Sequence, residues 1–272
     1  MDRVLIVGGG KVGRALARAW RAAGIRVTLR SVRKGWPSRR IGADVVVTAT
    51  RDQVIPELVA AFTERSLLGH QPAVVLHCAG ALPADVLAPL RGKNVAVGRL
   101  HPLVAIASTR RAPALEGLTA HIAGDRRARR VARRLARMAG LRPTEVSVHD
   151  TVLYHAAAVM VAGGGVALLD AGRRLLHDAG VDPELGTAML TSLLSSVLDN
   201  VNHLGIAEGL TGPVRRGNPD AIAVHSAKLK ATRATLLPLY RALIAAQLDL
   251  ARELGEAPMQ SFDAIADLVR PS

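Results

Sequence analysis

The sequence is poor in residues that staple, stack or anchor a chain. It holds one cysteine, Cys78, in 272 residues, so no internal disulfide can form. No Cys/His cluster has the spacing of a zinc site, and no metal is expected. Aromatics make up 2% of the chain: Trp20, Trp36, Phe62, Tyr154, Tyr240 and Phe262, scattered rather than set among basic residues. That scatter argues against base-stacking platforms, and so against nucleic acid as a partner. Long apolar runs are missing too. The longest, Ala156 to Leu169, has 14 residues and includes three glycines, against roughly 20 needed to span a membrane. Met1 to Gly8 runs straight into strand and turn chemistry, with no charged, apolar and cleavage regions of a secretion signal. A cytoplasmic protein without a membrane partner is expected.

What is present points to a globular protein of one to two domains, 49% hydrophobic and 21% charged. The net charge of +14 is unevenly placed: residues 1–150 carry 26 basic and 10 acidic side chains, residues 151–272 carry 10 and 12. Two parts with different partners are implied. The densest basic block, Arg126 to Arg142, has eight arginines. They are interleaved with Val131, Ala132, Leu135, Ala136, Met138 and Ala139, the pattern of an amphipathic helix with a solvated face.

The first part alternates short Val/Ile/Leu runs with helical segments. Strands are expected at Val4–Val7, Ile25–Leu29, Asp44–Ala49, Ala73–His77, Val95–Leu100 and Leu118–Ile122. Helices are expected at Lys11–Ala23, Val54–Glu64 and Ala84–Leu90, and then in the arginine-rich block. Continuous apolar strands each followed by a helix predict an α/β, doubly wound parallel sheet covered on both faces. From Asp150 the pattern is all helical. Asp150 caps a helix to about Ala179, stopped by Gly180, and Asp182-Pro183 starts one to about His203. Asn218-Pro219 repeats that signal, Ala231–Leu254 carries another long helical pattern, and Ser261 caps a last helix to Val269. The expected domains are residues 1–149, binding a dinucleotide, and 150–272, all-α.

Gly8-Gly9-Gly10-Lys11-Val12-Gly13 has the form G-x-G-x-x-G between a buried strand and a helix, the context that gives this weak pattern its meaning. Gly8 makes the tight turn, Gly10 lets the backbone approach a pyrophosphate, and Gly13 lets helix and strand pack closely. Backbone N–H groups around Lys11 and Val12 would face the phosphates at the helix N-terminus. About 20 residues on, an NAD enzyme places an acid for the ribose 2′-hydroxyl. This chain has Arg30, Ser31, Arg33 and Lys34 instead, suited to a 2′-phosphate, so NADP(H) is expected over NAD(H). Ala49 and Thr50, ending the third strand, complete the expected cofactor contacts.

Further segments carry a resemblance: Ala43–Asp52, His77–Leu82, Leu100-His101-Pro102-Leu103, Tyr154-His155-Ala156-Ala157 and Leu210-Thr211-Gly212-Pro213 through Gly217. Together with the glycine loop, over about residues 3–254, they resemble bacterial predicted oxidoreductases. Those proteins join a Rossmann-like domain to a helical C-terminal domain of unknown function. They are distant relatives of ketopantoate reductase, pyrroline-5-carboxylate reductase and 6-phosphogluconate dehydrogenase. The resemblance implies an NADP-dependent reductase, a substrate pocket between the domains and a homodimer through the helices. It does not name a substrate. Two places depart from the family pattern. Val161-Ala162-Gly163-Gly164-Gly165 stands where a small residue, serine and asparagine would follow Tyr-His-Ala-Ala, and Ala79 stands where serine is frequent. Glycines inside a helix cost about 1 kcal/mol each relative to alanine, so a bulky ligand, a close helix or a break is expected there.

Hydride transfer to a carbonyl or imine needs a proton for the developing anion and a cation for the substrate's acid group. His101, after a strand and before the turn expected at Pro102, titrates near neutral pH when unperturbed. It is a catalytic candidate or a histidine that bonds its own turn. Tyr154 and His155, opening the long helix, are further proton donors, and Asn200 is a pocket amide, with Asn202 as one alternative and a simple helix cap as another. Arg215 and Arg216 are carboxylate anchors or a solvated pair. His77 and Cys78 read as buried structural residues. The leading expectation is reduction of a small 2-oxo or imino acid, ketopantoate-like; the alternative is a non-catalytic NADP-binding sensor or assembly protein.

Overall fold

The computed structural model describes residues 3–35, 40–68, 73–110 and 113–270; the Lys34 side chain and Trp36 lie outside the described parts. The chain divides into two compact units, Met1–Ala162 and Gly163–Ser272. The first is a Rossmann-like unit. Its strands are β1 (Arg3–Val7), β2 (Arg26–Arg30), β3 (Val45–Thr48), β4 (Ala73–His77), β5 (Val95–Pro102), β6 (Thr119–Gly124) and β7 (Arg142–Thr144). They form one sheet in the order β2-β1-β3-β4-β5-β6-β7. The chain leaves β1 to one side for β2 and then crosses back to β3, so the switch point lies between β1 and β3. Open α/β sheets bind ligands there, outside the carboxyl ends of the strands.

Both faces are covered, because strands apolar on both sides have no solvent face to offer. On one face α1 (Lys11–Ala22) and α3 (Arg126–Met138) bring Leu16, Trp20, Ala128, Ala132 and Leu135 onto Val4, Ile6, Val47 and Leu76. The Trp20 indole N–H donates to the Leu135 carbonyl at 2.7 Å, satisfying the one polar atom of the largest buried side chain. On the other face α2 (Ile55–Glu64) and the 3₁₀ segment Ala84–Leu90 pack Ile55, Leu58, Phe62 and Leu87 onto Val46, Val75 and Val97. Burial of each such aliphatic or aromatic side chain contributes about 1.5–3 kcal/mol. Several arginines of α3 are engaged rather than simply solvated: Arg127 donates to the carbonyls of Ala73 and Asn94, and Arg129 and Arg133 pair with Glu145.

The sheet departs from the expected all-parallel form at one place. β5 pairs with β4 in parallel over Val95–Arg99 and with β6 antiparallel over Gly98–Pro102. His101 and Pro102 therefore lie inside the strand, not in a turn. Proline is tolerated at the end of a strand, and Leu103 N–H continues the ladder to the Thr119 carbonyl. The two strands cross most closely at the Gly98/Gly124 pair. A Cβ on Gly124 (φ +114°) would stand 2.4 Å from Gly98 Cα, and one on Gly98 would stand 2.7 Å from the Ala123 carbonyl oxygen.

The remaining helices are α4 (Thr151–Asp178), α5 (Pro183–Leu204), α6 (Pro219–Thr232), α7 (Leu237–Leu254) and α8 (Met259–Val269). The expected starts at Asp150, Asp182-Pro183 and Asn218-Pro219 are found, each with the side chain accepting N–H bonds of the first turn. The long pattern Ala231–Leu254 is split by a 3₁₀ turn at Ala234–Leu236, after which Pro238 sits in the first turn of α7. Ser261 lies inside α8, which Pro258 precedes. Val214, Ile222, Ile244, Leu248, Phe262 and Ile265 form the core of the second unit.

α4 and α5 stay outside that core. α4 has no buried residue, and α5 has only Gly186. Val159, Met160, Val161, Val166, Leu185, Met189, Leu193 and Leu198 are exposed. α4 runs unbroken through Gly163–Gly165, where added Cβ atoms would meet nothing within 4 Å, so a local break is excluded. Among the described residues it is the one helix long and apolar enough to cross a membrane, and none of that stretch is buried.

Candidate functional site

Two constellations lie at the carboxyl ends of the strands of the first unit. The first is a cleft of about 680 Å³ at the switch point, lined by Gly8, Gly10, Lys11, Val12, Ser31, Arg33, Ala49 and Thr50 among others. These are eight of the ten candidate cofactor residues; Gly13 and Arg30 stand beside it. Gly8 and Gly13 each have a distinct steric reason. Gly8 (φ +129°) passes so near β3 that a Cβ would lie 2.3 Å from the Ala49 carbonyl oxygen. At Gly13 a Cβ would lie 2.0 Å from the Gly8 carbonyl oxygen, the close contact of α1 with its incoming strand. Gly10 is open, with nothing within 4 Å of its added Cβ.

Gly10 is also the N-cap of α1 and supplies no capping side chain. The first N–H groups of a helix have no intrahelical partner, and here they open onto the cleft with the positive end of the helix dipole. An extended phosphate-bearing ligand fits this arrangement. Arg30 accepts the Gly8 N–H at its carbonyl and donates from Nε to the Gly35 carbonyl at 3.0 Å. Arg33 and Ser31 remain the polar side chains at the mouth beyond β2. Two further cleft residues, Arg14 and Arg51, were not singled out in the sequence. Arg14 donates to the Gly9 carbonyl at 2.9 Å and so braces the loop from outside.

The second constellation gathers around β5. His101 Nδ1 lies 3.0 Å from the Tyr154 hydroxyl. The His101 and His155 rings are 6.3 Å apart, and the His121 and Tyr154 rings 5.4 Å apart. Thr151 Oγ1 donates to the Ala81 carbonyl at 2.8 Å, which ties the first turn of α4 to the loop after β4. That loop must carry glycine at residue 80. A Cβ there would lie 2.3 Å from His155 Nδ1 and 2.9 Å from His101 Nε2. His155 Nδ1 is itself buried, with no hydrogen-bond partner among the described residues.

The residue under this cluster is Arg99, which the sequence reading passed over. It is 1% exposed and no carboxylate pairs with it among the described residues. Its guanidinium donates to the Gly80 carbonyl at 2.7 Å and stands 4.7 Å from the centre of the Tyr154 ring. Its Nε has no hydrogen-bond partner among the described residues. Desolvation holds the Arg99 pKa below its ordinary value, while Tyr154 and the more distant Asp52 act to raise it. The signal was available: one arginine within the apolar run Val95–Leu100.

Burial, the Arg99 charge and the neighbouring histidines hold His101 at about 3. This corrects the expectation that His101 titrates near neutrality; at neutral pH it is an uncharged imidazole. Burial pushes the Tyr154 phenol up, against the opposing pull of Arg99. His121 is also lowered by burial; its Nε2 lies 3.0 Å from the Val146 carbonyl. His77 is fully buried, accepts the Ala79 N–H at Nδ1 and donates from Nε2 to the Pro83 carbonyl. Burial and Arg99 lower it to about 4, in keeping with a structural residue. Burial pushes the Cys78 thiol up to about 12, so it is no nucleophile.

Asn200, Arg215 and Arg216 belong to the second unit. Asn200 is on α5, half-buried and without a side-chain hydrogen bond among the described residues. Arg215 is committed to Glu256, to Glu208 and to the carbonyls of Glu208 and Leu210, which makes it a clamp of its own loop. Arg216 is exposed. No group of three or more potential metal ligands occurs among the described residues.

Comparison with known proteins agrees with the fold. Residues 118–247 match a domain of unknown function, DUF2520. No curated protein matches the chain. Among solved structures, a Thermotoga maritima protein is 20% identical, with a TM-score of 0.67 over 92% of this chain and 98% of that one. A Bacteroides fragilis protein provisionally named an NADP oxidoreductase is 18% identical, with a TM-score of 0.71 over 90% and 97%. A pyrroline-5-carboxylate reductase from Coxiella burnetii is 16% identical, with a TM-score of 0.57 over 93% and 98%. At such identities the likeness establishes the fold: a Rossmann-like α/β sheet followed by a helical region.

Proposed function

We propose that the protein is an NADP(H)-dependent reductase acting on a small 2-oxo or imino acid. The observation that carries this reading is the pairing, on one sheet, of a phosphate-receiving cleft with a phenol–imidazole cluster above a buried cation. Gly8, Gly10, Lys11, Val12 and Gly13 would hold the dinucleotide diphosphate, and Ser31 with Arg33 its 2′-phosphate. The reduced nicotinamide supplies hydride when bound. Tyr154, kept protonated by burial, holds the proton that the reduced oxygen or nitrogen must receive, and neutral His101 orients that hydroxyl. The pyrroline-5-carboxylate reductase from Coxiella and the Bacteroides protein provisionally named an NADP oxidoreductase, both of similar fold, support the reaction type. Ketopantoate-like substrates remain in the proposal because they carry the 2-oxo acid group.

A homodimer belongs to the same proposal, with residues 150–272 as its substrate and dimerisation domain. The exposed apolar residues of α4 and α5 exceed what a monomer's scattered surface needs, and the bare Gly163–Gly165 edge would admit a second helix closely. Charged Asp170, Arg173 and Arg174 on α4 favour a protein partner over lipid. Sedimentation of wild type and Met160→Glu should give dimer and monomer; a wild-type monomer or a lipid-dependent particle overturns this part.

The decisive experiment is NADPH oxidation over a panel of 2-oxo acids, cyclic imines and ketopantoate, with Tyr154→Phe as control. Turnover lost in the variant, with cofactor affinity kept, is the expected result. Tight NADPH binding without turnover on any substrate would favour the sensor reading, which the missing Ser-Asn step at Val161–Gly165 motivates.

A further inference from the structure

A buried guanidinium without a carboxylate is a charge the fold maintains at a cost, since unpaired buried ions lose their hydration for no return. Arg99 has no carboxylate in contact with it among the described residues, Asp52 acting only from a distance, and it is 1% exposed. The group it addresses is the ring of Tyr154, 4.7 Å away. We propose that Arg99 is a positioning residue for proton transfer: it holds a positive charge on the Tyr154 ring so that the phenolate is the anion this site is built to receive.

This rests on the reductase reading. A reduced nicotinamide held at the cleft would supply the hydride that forms a C–H bond at the substrate's carbonyl or imine carbon. The π pair moves to oxygen or nitrogen and takes the Tyr154 hydroxyl proton. The phenolate left behind faces Arg99, with no carboxylate acting on it. It regains a proton from His101 Nδ1, 3.0 Å away, as another enters at His101 Nε2. That nitrogen borders Gly80 beside His155, whose buried Nδ1 has no hydrogen-bond partner among the described residues. The titratable and charged groups around Tyr154 are Arg99 and His101 from β5, His121 from β6 and His155 from its own helix. The histidines that could compete with Arg99 as cations, His101 and His121, are held neutral by burial.

The chain has two tyrosines, so Tyr240→Phe leaves Tyr154 as the only phenol. Tyr240 bonds His225 in the second unit and has no part in this cluster. In that background, phenolate absorbance is titrated in the apoprotein for wild type, Arg99→Met and Arg99→Lys, with circular dichroism reporting the fold. The expected result is a rise in the Tyr154 titration of about one unit or more in Arg99→Met, a tenfold change in ionisation, with partial recovery in Arg99→Lys. An unchanged or lowered titration in folded Arg99→Met overturns the proposal. If Arg99→Met does not fold, the neutral Arg99→Gln, which can keep the bond to the Gly80 carbonyl, decides instead: a phenol that titrates as in wild type in that variant refutes the proposal. No turnover is needed for this readout, so failure of the reductase reading shows separately, as a wild-type protein idle on every substrate.

Discussion

Replacing Arg99 by methionine should make the first unit more stable while impairing its chemistry. The side chains are similar in reach, so the substitution removes a charge without opening a large cavity. Two favourable interactions go. The hydrogen bond to the Gly80 carbonyl at 2.7 Å is a charged one, of about 1.5–3 kcal/mol. The stack on Tyr154 at 4.7 Å contributes about 2 kcal/mol when desolvated. Against them stands the desolvation of an ion that no carboxylate contacts among the described residues, several kcal/mol even after relaxation, together with the apolar surface that methionine buries in its place. The expected net gain is about 1–2 kcal/mol, read as a higher urea midpoint by far-ultraviolet circular dichroism and tryptophan fluorescence at neutral pH. The midpoint temperature should rise by about 2–4 °C per kcal/mol for a unit of this size. A loss of stability of about 1 kcal/mol or more would mean that the guanidinium is already compensated, and the argument for a waiting anion would fall with it.

Acid should weaken the same unit, and the sign follows from the histidines. His77 and His101 titrate at about 4 and about 3 in the fold, against about 6.5 in the unfolded chain. Between those values the unfolded state binds more protons, so their contribution is complete above about 6.5 and falls by about 1.4 kcal/mol per pH unit per histidine below it; equal urea midpoints at pH 7 and 5 would contradict this. Gly13→Ala places a Cβ 2.0 Å from the Gly8 carbonyl oxygen, forcing α1 away from β1. NADPH affinity by calorimetry should drop at least tenfold, and a drop under twofold would show that the loop does not receive the diphosphate. Arg33→Ser should weaken NADPH about tenfold, a charge-assisted phosphate contact being of order 1.5–3 kcal/mol, while leaving NADH unchanged. Gly80→Ala drives a methyl against His155 Nδ1 and His101 Nε2; turnover should fall with NADPH affinity intact, and unaltered turnover would remove these rings from the chemistry.

The fold was legible because it is written in short-range chemistry. Val4–Val7 followed by three glycines, Ala73–His77 as a continuous apolar run, and Asp150, Asp182 and Asn218 as caps each act within a few residues. The antiparallel β5–β6 pair was not legible, since Pro102 reads locally as a turn and only the distant partner Ala120 makes it strand. Site residues followed the same division. The steric roles of Gly8 and Gly13 could be stated from the motif. The depressed titration of His101 could not, because it depends on burial and on Arg99, a residue two positions away whose own burial is a property of the folded sheet. Arg215 likewise looked free in its loop until Glu256, 41 residues on, closed on it.

The Gly98/Gly124 pair decides more than the approach of two strands. Side chains alternate along β5, so Arg99 and His101 share one side while Leu100 faces the other. A slip of a single residue against β6 would exchange them, presenting leucine to Tyr154 and turning the cation toward α3. Two residues without side chains thus act as the index mark of the face that carries Arg99 and His101. An alanine at either would threaten the chemistry with every histidine still in the chain, an inactive protein whose site residues all read as intact.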